Sequence, residues 1–99
     1  MEYEPVTPEA AARALKDPAW VVERTRIYRD LRFKSFTAAL AFVNRVGEVA
    51  ERLNHHPNIC IHEWRFVHLE LYSHSSGGVS SHDIELAIAI DEVIEPPTP

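Results

Sequence analysis

Glu51-Arg52-Leu53-Asn54-His55-His56-Pro57 is the point at which a long helical pattern has to give way to an extended one. Proline disfavours helical geometry in the residue before it. The helix is therefore expected to end near Asn54 or His55 and to leave both imidazoles on a constrained exit turn. Imidazole titrates near neutral pH without help, so this turn is the first place to look for proton transfer.

Upstream of the turn, Phe36, Leu40, Val43, Ala50 and Leu53 recur at helical intervals, with Ala39, Val46 and Val49 widening the apolar stripe. Ser35 is the expected cap. Gly47 weakens the interior slightly and is expected to mark a close neighbour. The polar side carries Asn44, Glu48, Glu51 and Arg52. Glu51 stands four residues before His55 and reaches that imidazole if the last turn holds.

Downstream, Ile59 to Trp64 is short and extended in character. Arg65 to Ser73 alternates cleanly, with Val67, Leu69 and Leu71 on one face and Phe66, His68, Glu70 and Tyr72 on the other. Ser75-Ser76-Gly77-Gly78 reads as a turn. Ser80-Ser81-His82-Asp83 has the spacing of a capping box, with Asp in place of the better-fitting Glu, and opens an apolar helix to about Ile94.

At the other end, Thr7-Pro8-Glu9 supplies a hydroxyl cap, a first-turn proline and an acid for a short helix that Asp17-Pro18 halts. Trp20 to Glu23 and Ile27 to Lys34 are rich in branched and aromatic residues and read as two strands. The order predicts an α+β fold, two-layer, with a four-stranded antiparallel sheet and helices packed on one face. The 99 residues suit one domain, with 95–99 a frayed tail.

A formal charge of -5 and ten scattered basic residues argue against direct contact with nucleic acid. Residues 1–5 are acidic and lack the apolar core of a secretory signal. No apolar run reaches bilayer-spanning length, so a soluble, cytoplasmic protein is expected. The single cysteine, Cys60, agrees with a reducing compartment.

The six histidines raise the question of a metal. His55 and His56 are neighbours rather than partners at helical spacing, and there is no Cys pair, so no metal is expected. Cys60 between Ile59 and Ile61 reads as a small buried strand thiol rather than a nucleophile. The serines near His74 lack a glycine-framed nucleophile turn. What remains is proton transfer by histidines leaving two different elements: His55 and His56 at a helix end, and His74 at a strand end. His62, His68 and His82 read as surface or packing residues.

Beyond these local readings, Glu51-x3-His55-His56-Pro57, six residues to Trp64, nine to His74 and eight to Asp83 resemble the signature of the pterin-4a-carbinolamine dehydratases. The resemblance extends through Trp20, Phe33-Lys34-Ser35-Phe36, Ala39, Phe42, Val43, Gly77-Gly78 and Leu86-Ala87. It implies dehydration of 4a-hydroxytetrahydropterin to quinonoid dihydropterin without a metal or organic cofactor. It also implies a homodimer or homotetramer and a pathway shared with a pterin-dependent hydroxylase.

Carried across by residue, the resemblance places His55, His56 and His74 as catalytic groups, with His55 and His74 as the acid/base pair and His56 mainly holding the ring. Pro57, Ser73, Ser75 and Ser76 would complete the pterin contacts, with Glu51, Trp64 and Asp83 in support. Glu51 would orient His55, and Asp83 would cap its helix or support the site. Two departures stand out: Ser75 occupies a place where relatives carry an acid, and Glu63-Trp64 carries one extra residue. The alternative reading is a non-catalytic dimerisation module of the same fold.

Overall fold

Each helix begins where the sequence provides a side-chain acceptor for an otherwise unpaired backbone N–H. In the computed structural model, which describes residues 4–74 and 77–94, Thr7 Oγ1 accepts from Ala10 N at the start of α1 (Pro8–Ala14). Ser35 Oγ accepts from Ala38 N at the start of α2 (Phe36–Leu53). At α3 (Ser81–Val93), Asp83 reaches back to accept from Ser80 N at 2.8 Å. The shorter Asp thus fills the reciprocal arm that Glu usually supplies. The expected tail at 95–99 and the expected contacts of Ser75 and Ser76 lie outside the described residues.

The strands are β1 (Val21–Val22), β2 (Ile27–Arg32), β3 (Asn58–His62) and β4 (Phe66–Leu71). All pair antiparallel in the order β1-β2-β4-β3. The α+β architecture is as the sequence predicts. Ile27, Val67, Leu69 and Leu71 bury their side chains on the face that shares a core with Phe42 and Val46 of α2 and Leu86 and Ile90 of α3. This apolar burial supplies the main stabilisation of the domain.

Four details differ from the sequence reading. Cys60, expected to be buried, is exposed, because it falls on the outer parity of β3 opposite His68. The buried stripe of α2 is Ala39, Phe42, Val46, Val49 and Ala50, while Phe36 and Leu40 stay exposed. The spacing 39-42-46-49 tracks 3.6 residues per turn on the inner face, and Phe36 and Leu40 fall on its flank. A methyl group at Gly47 would meet nothing within 4 Å, so that glycine does not accommodate a close neighbour.

The expected strand from Ile59 to Trp64 instead stops at His62. Glu63 and Trp64 both take positive φ, 47° and 56°, within a three-residue connection, since His62 pairs with Phe66 across Glu63, Trp64 and Arg65. No Asn or Gly advertised that turn.

Arg29 lies on the inner parity of β2 between Ile27 and Leu31, an unfavourable place for a cation unless it is paired. Its guanidinium meets Asp17 at 2.8 Å and Asp91 of α3 at 3.0 Å, and Trp20 Nε1 donates to the same Asp91 oxygen at 2.8 Å. A charged rivet therefore joins the short β1 edge to α3.

Candidate active site

Asn54 adopts the left-handed conformation, φ 51° and ψ 42°, that Asn tolerates and most residues do not. The helix consequently stops at Leu53, and Pro57 prevents its resumption. The reversal sends the two imidazoles to different environments. His55 turns into the interior and is 8% exposed, whereas His56 is exposed.

Each imidazole finds its own carboxylate. His55 Nε2 lies 2.6 Å from Asp83 Oδ1, and His56 Nε2 lies 2.5 Å from Glu51 Oε2. Glu51 therefore meets His56 rather than His55, which corrects the expectation. That expectation needed helical geometry to continue through His55, and the left-handed Asn54 breaks it. A carboxylate accepting from Nε2 fixes the proton there in a neutral ring and leaves Nδ1 as the acceptor.

Asp83 is fully buried and serves three segments at once. Besides His55, it accepts from the Ser73 hydroxyl at 2.9 Å and from Ser80 N at 2.8 Å, and the Ser73 and Ser80 hydroxyls are 2.7 Å apart. A buried carboxylate is tolerated only when its lone pairs are satisfied in this way. The consequence is positional. Ser73 immediately precedes His74, so one carboxylate links the exit of α2 to the segment that carries the third imidazole.

His56 and His74 meet at a notch of about 80 Å3, lined among the described residues by these two together with Asn58, Glu70 and Tyr72. The His74 ring stands edge-on to Tyr72, with centroids 4.9 Å apart. His55 is not among the described lining residues and lies on the interior side, with the His82 ring 5.8 Å away. A larger cavity of about 270 Å3 borders α1 and β1 and, unlike the smaller one, gathers no imidazole.

Trp64, expected to support the site, occupies the exposed β3–β4 hairpin tip with Arg65 over its ring at 4.8 Å. Asn58 lines the notch from the opposite end of β3, roughly 15–20 Å away at the usual rise per strand residue. The β3–β4 connection, Glu63 to Arg65, holds Trp64 at that far end.

The sequence reading missed Asn58, Glu70, Tyr72 and His82. A signal for two of them was present. The outer parity of β4 runs Phe66, His68, Glu70, Tyr72 towards His74, and it ends at the notch.

Glu70 is held in place by its neighbours. Burial pushes its carboxyl up, but hydrogen bonds from Arg26 and His68 outweigh this and hold it below the ordinary range. Arg26 is itself bound by Glu23 at 2.8 Å and lies over the Tyr28 ring at 4.6 Å. Among the described residues no group of three or more His, Cys, Asp or Glu side chains is placed to hold a metal ion, and no helix is long and apolar enough to cross a membrane.

The family model for pterin 4 alpha carbinolamine dehydratase matches residues 4–93. A Nocardia farcinica relative, provisionally named a pterin-4-alpha-carbinolamine dehydratase, is 46% identical over 94 residues, covering 94% of this chain and 98% of its own. A crystal structure of a transcriptional coactivator/pterin dehydratase from Brucella melitensis superposes with a TM-score of 0.78 at 31% identity, covering 93% of this chain and all of that one. A pterin dehydratase-like protein described as a RuBisCO assembly factor in the alpha-carboxysome covers 79% of this chain and 89% of its own. It superposes with a TM-score of 0.62 at 18% identity, which shows a shared fold alone.

Proposed function

Because this chain belongs to the pterin 4 alpha carbinolamine dehydratase family, we propose that it dehydrates a 4a-hydroxytetrahydropterin to the quinonoid dihydropterin by histidine acid/base catalysis. The observation that carries the reading is the pairing of His56 and His74 across one notch, with Glu51 behind the first. The C4a–O bond breaks with its electron pair on oxygen, which the acid protonates to water. The base takes the proton from the neighbouring ring nitrogen, whose electron pair forms the new C–N double bond. Two imidazoles lining the same notch suit both tasks near neutral pH.

His56 and His74 are assigned to the ring, and His55 to a positioning role beneath it. This departs from the sequence reading, which gave the acid/base work to His55 and His74. The support is burial: His55 is committed to Asp83 and sits on the interior side, while His56 lines the notch. No step requires a metal or an organic cofactor. The product is a substrate for reduction, so the reaction fits the recycling arm of a pterin-dependent hydroxylation.

The test is the rate of carbinolamine loss with purified protein against the spontaneous rate. Acceleration that disappears in His74→Ala supports the reading. No acceleration by the wild-type protein refutes it.

A second reading, a dimerisation module, is favoured by the exposure of Phe36 and Leu40 one turn apart on α2 and by the sheet-edge position of β3. Self-association through these surfaces is compatible with catalysis. Only an inactive protein that still associates would favour the module alone.

A further inference from the structure

We propose that Glu70, with Asn58 beside it, binds the hydrogen-bonding edge of the substrate's pyrimidine ring and so determines which heterocycle the notch accepts. This rests on the pterin reading above and goes beyond it, since the sequence resemblance assigns neither residue a role. Asn58 and Glu70 are directly opposite in the β3–β4 register, so their side chains stand next to each other on the outer face of the sheet. Both line the notch that holds His56 and His74.

The chemistry of the pair matches one kind of ligand. A 2-amino-4-oxopyrimidine edge presents two N–H donors, from the 2-amino group and N3, beside one carbonyl acceptor. A carboxylate accepts both donors, and an adjacent amide N–H can donate to the carbonyl. An ionised carboxylate offers roughly four acceptor positions. Arg26 and His68 both bond Oε2, and Asn58, which donates to Glu70 and at 3.5 Å to Tyr72 Oη, turns its amide to the ligand carbonyl, so two positions remain for the two ligand donors.

Arg26 and His68 also fix the orientation of Glu70 before any ligand arrives, which reduces the ordering cost of binding. The notch, at about 80 Å3, is too small to enclose a bicyclic ring. Only one edge of the ring can enter, and a polar pair at that point controls selection.

The competing explanation is that Glu70 only forms a cross-strand ion pair with Arg26. Binding of pterin (2-amino-4-oxopteridine) and lumazine (2,4-dioxopteridine) to the full chain, followed by their fluorescence, separates the two. The wild-type protein should prefer pterin by about tenfold, in line with a charge-assisted hydrogen bond. Glu70→Gln should bring the two ligands within about twofold, whereas Arg26→Gln, which breaks the ion pair but keeps the carboxylate, should retain most of the preference. With the carbinolamine, Glu70→Gln should raise KM about tenfold and change kcat by less than about threefold. An unchanged preference in Glu70→Gln, or equal loss in both variants, overturns the proposal while leaving the dehydratase reading intact. Failure of the wild-type protein to accelerate dehydration removes both, whereas a wild-type protein that accelerates it without preferring pterin to lumazine overturns this proposal alone.

Discussion

His55 Nε2 and Asp83 Oδ1 lie 2.6 Å apart in the interior, and the other oxygen of that carboxylate receives the Ser73 hydroxyl and the Ser80 amide. One buried anion therefore couples the end of α2, the end of β4 and the start of α3. It holds the exit turn and the His74 segment in register, which is what the proposed proton-transfer site requires.

Asp83→Ala should therefore damage stability and rate together. Removing the carboxylate takes away the acceptor that His55, Ser73 and the Ser80 amide share, at a cost of about 3 kcal/mol. Urea unfolding measures the first effect and kcat the second. Asp83→Asn keeps the shape and one acceptor oxygen, so its loss of stability should be smaller. Equal stability of Asp83→Ala and the wild-type protein would contradict this account of the network.

The three histidines should separate by what they lose. His56→Ala and His74→Ala remove exposed side chains, so stability should change by no more than about 0.5 kcal/mol. Their kcat should fall by about 10²-fold or more, the usual contribution of a positioned acid or base. His55→Ala empties a buried position beside Asp83 and should cost about 2 kcal/mol in unfolding free energy. A His55→Ala variant with wild-type stability and the largest kcat loss of the three would return the acid/base role to His55.

The fold was legible because alternation and helical periodicity act over many residues. Val67-x-Leu69-x-Leu71 can satisfy its parity only as a strand, and the serine and threonine caps mark helix starts by direct chemistry. The limits of the reading were local and conformational. Asn54 in the left-handed region and the paired positive φ values of Glu63 and Trp64 redirected Glu51 to His56 and moved Trp64 to a distant tip. Asn54 is a helix-stop residue whose exit direction the sequence leaves open, and Glu63-Trp64 carries no turn signal, so tertiary context decided both. The pairing of Glu70 with Asn58 was hidden for a different reason: a cross-strand neighbour is a property of register, which alternation alone does not fix.

Gly47 offers a stability test independent of the site. It lies inside α2, and a Cβ built there meets no atom within 4 Å. Glycine in a helix interior costs about 1 kcal/mol relative to alanine, through the greater backbone freedom of the unfolded chain. Gly47→Ala should raise the unfolding free energy by about that amount and leave kcat unchanged. A loss of stability would reveal a crowding that the helix surface does not show.

The acid side of the stability profile should respond in opposite senses to two carboxylates. The Ala19 amide, with Arg29 adding to it against the effect of burial, holds the Asp17 carboxyl below its usual range. Glu70 is also held low, its burial outweighed by Arg26 and His68. For both groups the unfolded chain binds the proton more readily, so their stabilisation is present above the unfolded carboxyl range, about pH 4, and is lost as pH falls through the folded values. Asp91 runs the other way. Burial pushes its carboxyl up despite the Trp20 hydrogen bond and the Arg29 charge, so the folded chain takes up its proton first and gains relative stability as pH falls. Removing this opposing contribution in Asp91→Asn should steepen the loss of stability between about pH 5 and pH 3, and Glu70→Gln should make it shallower. Urea midpoints measured across that range distinguish the two. Parallel profiles for both variants and the wild-type protein would mean that these carboxylates do not govern acid unfolding.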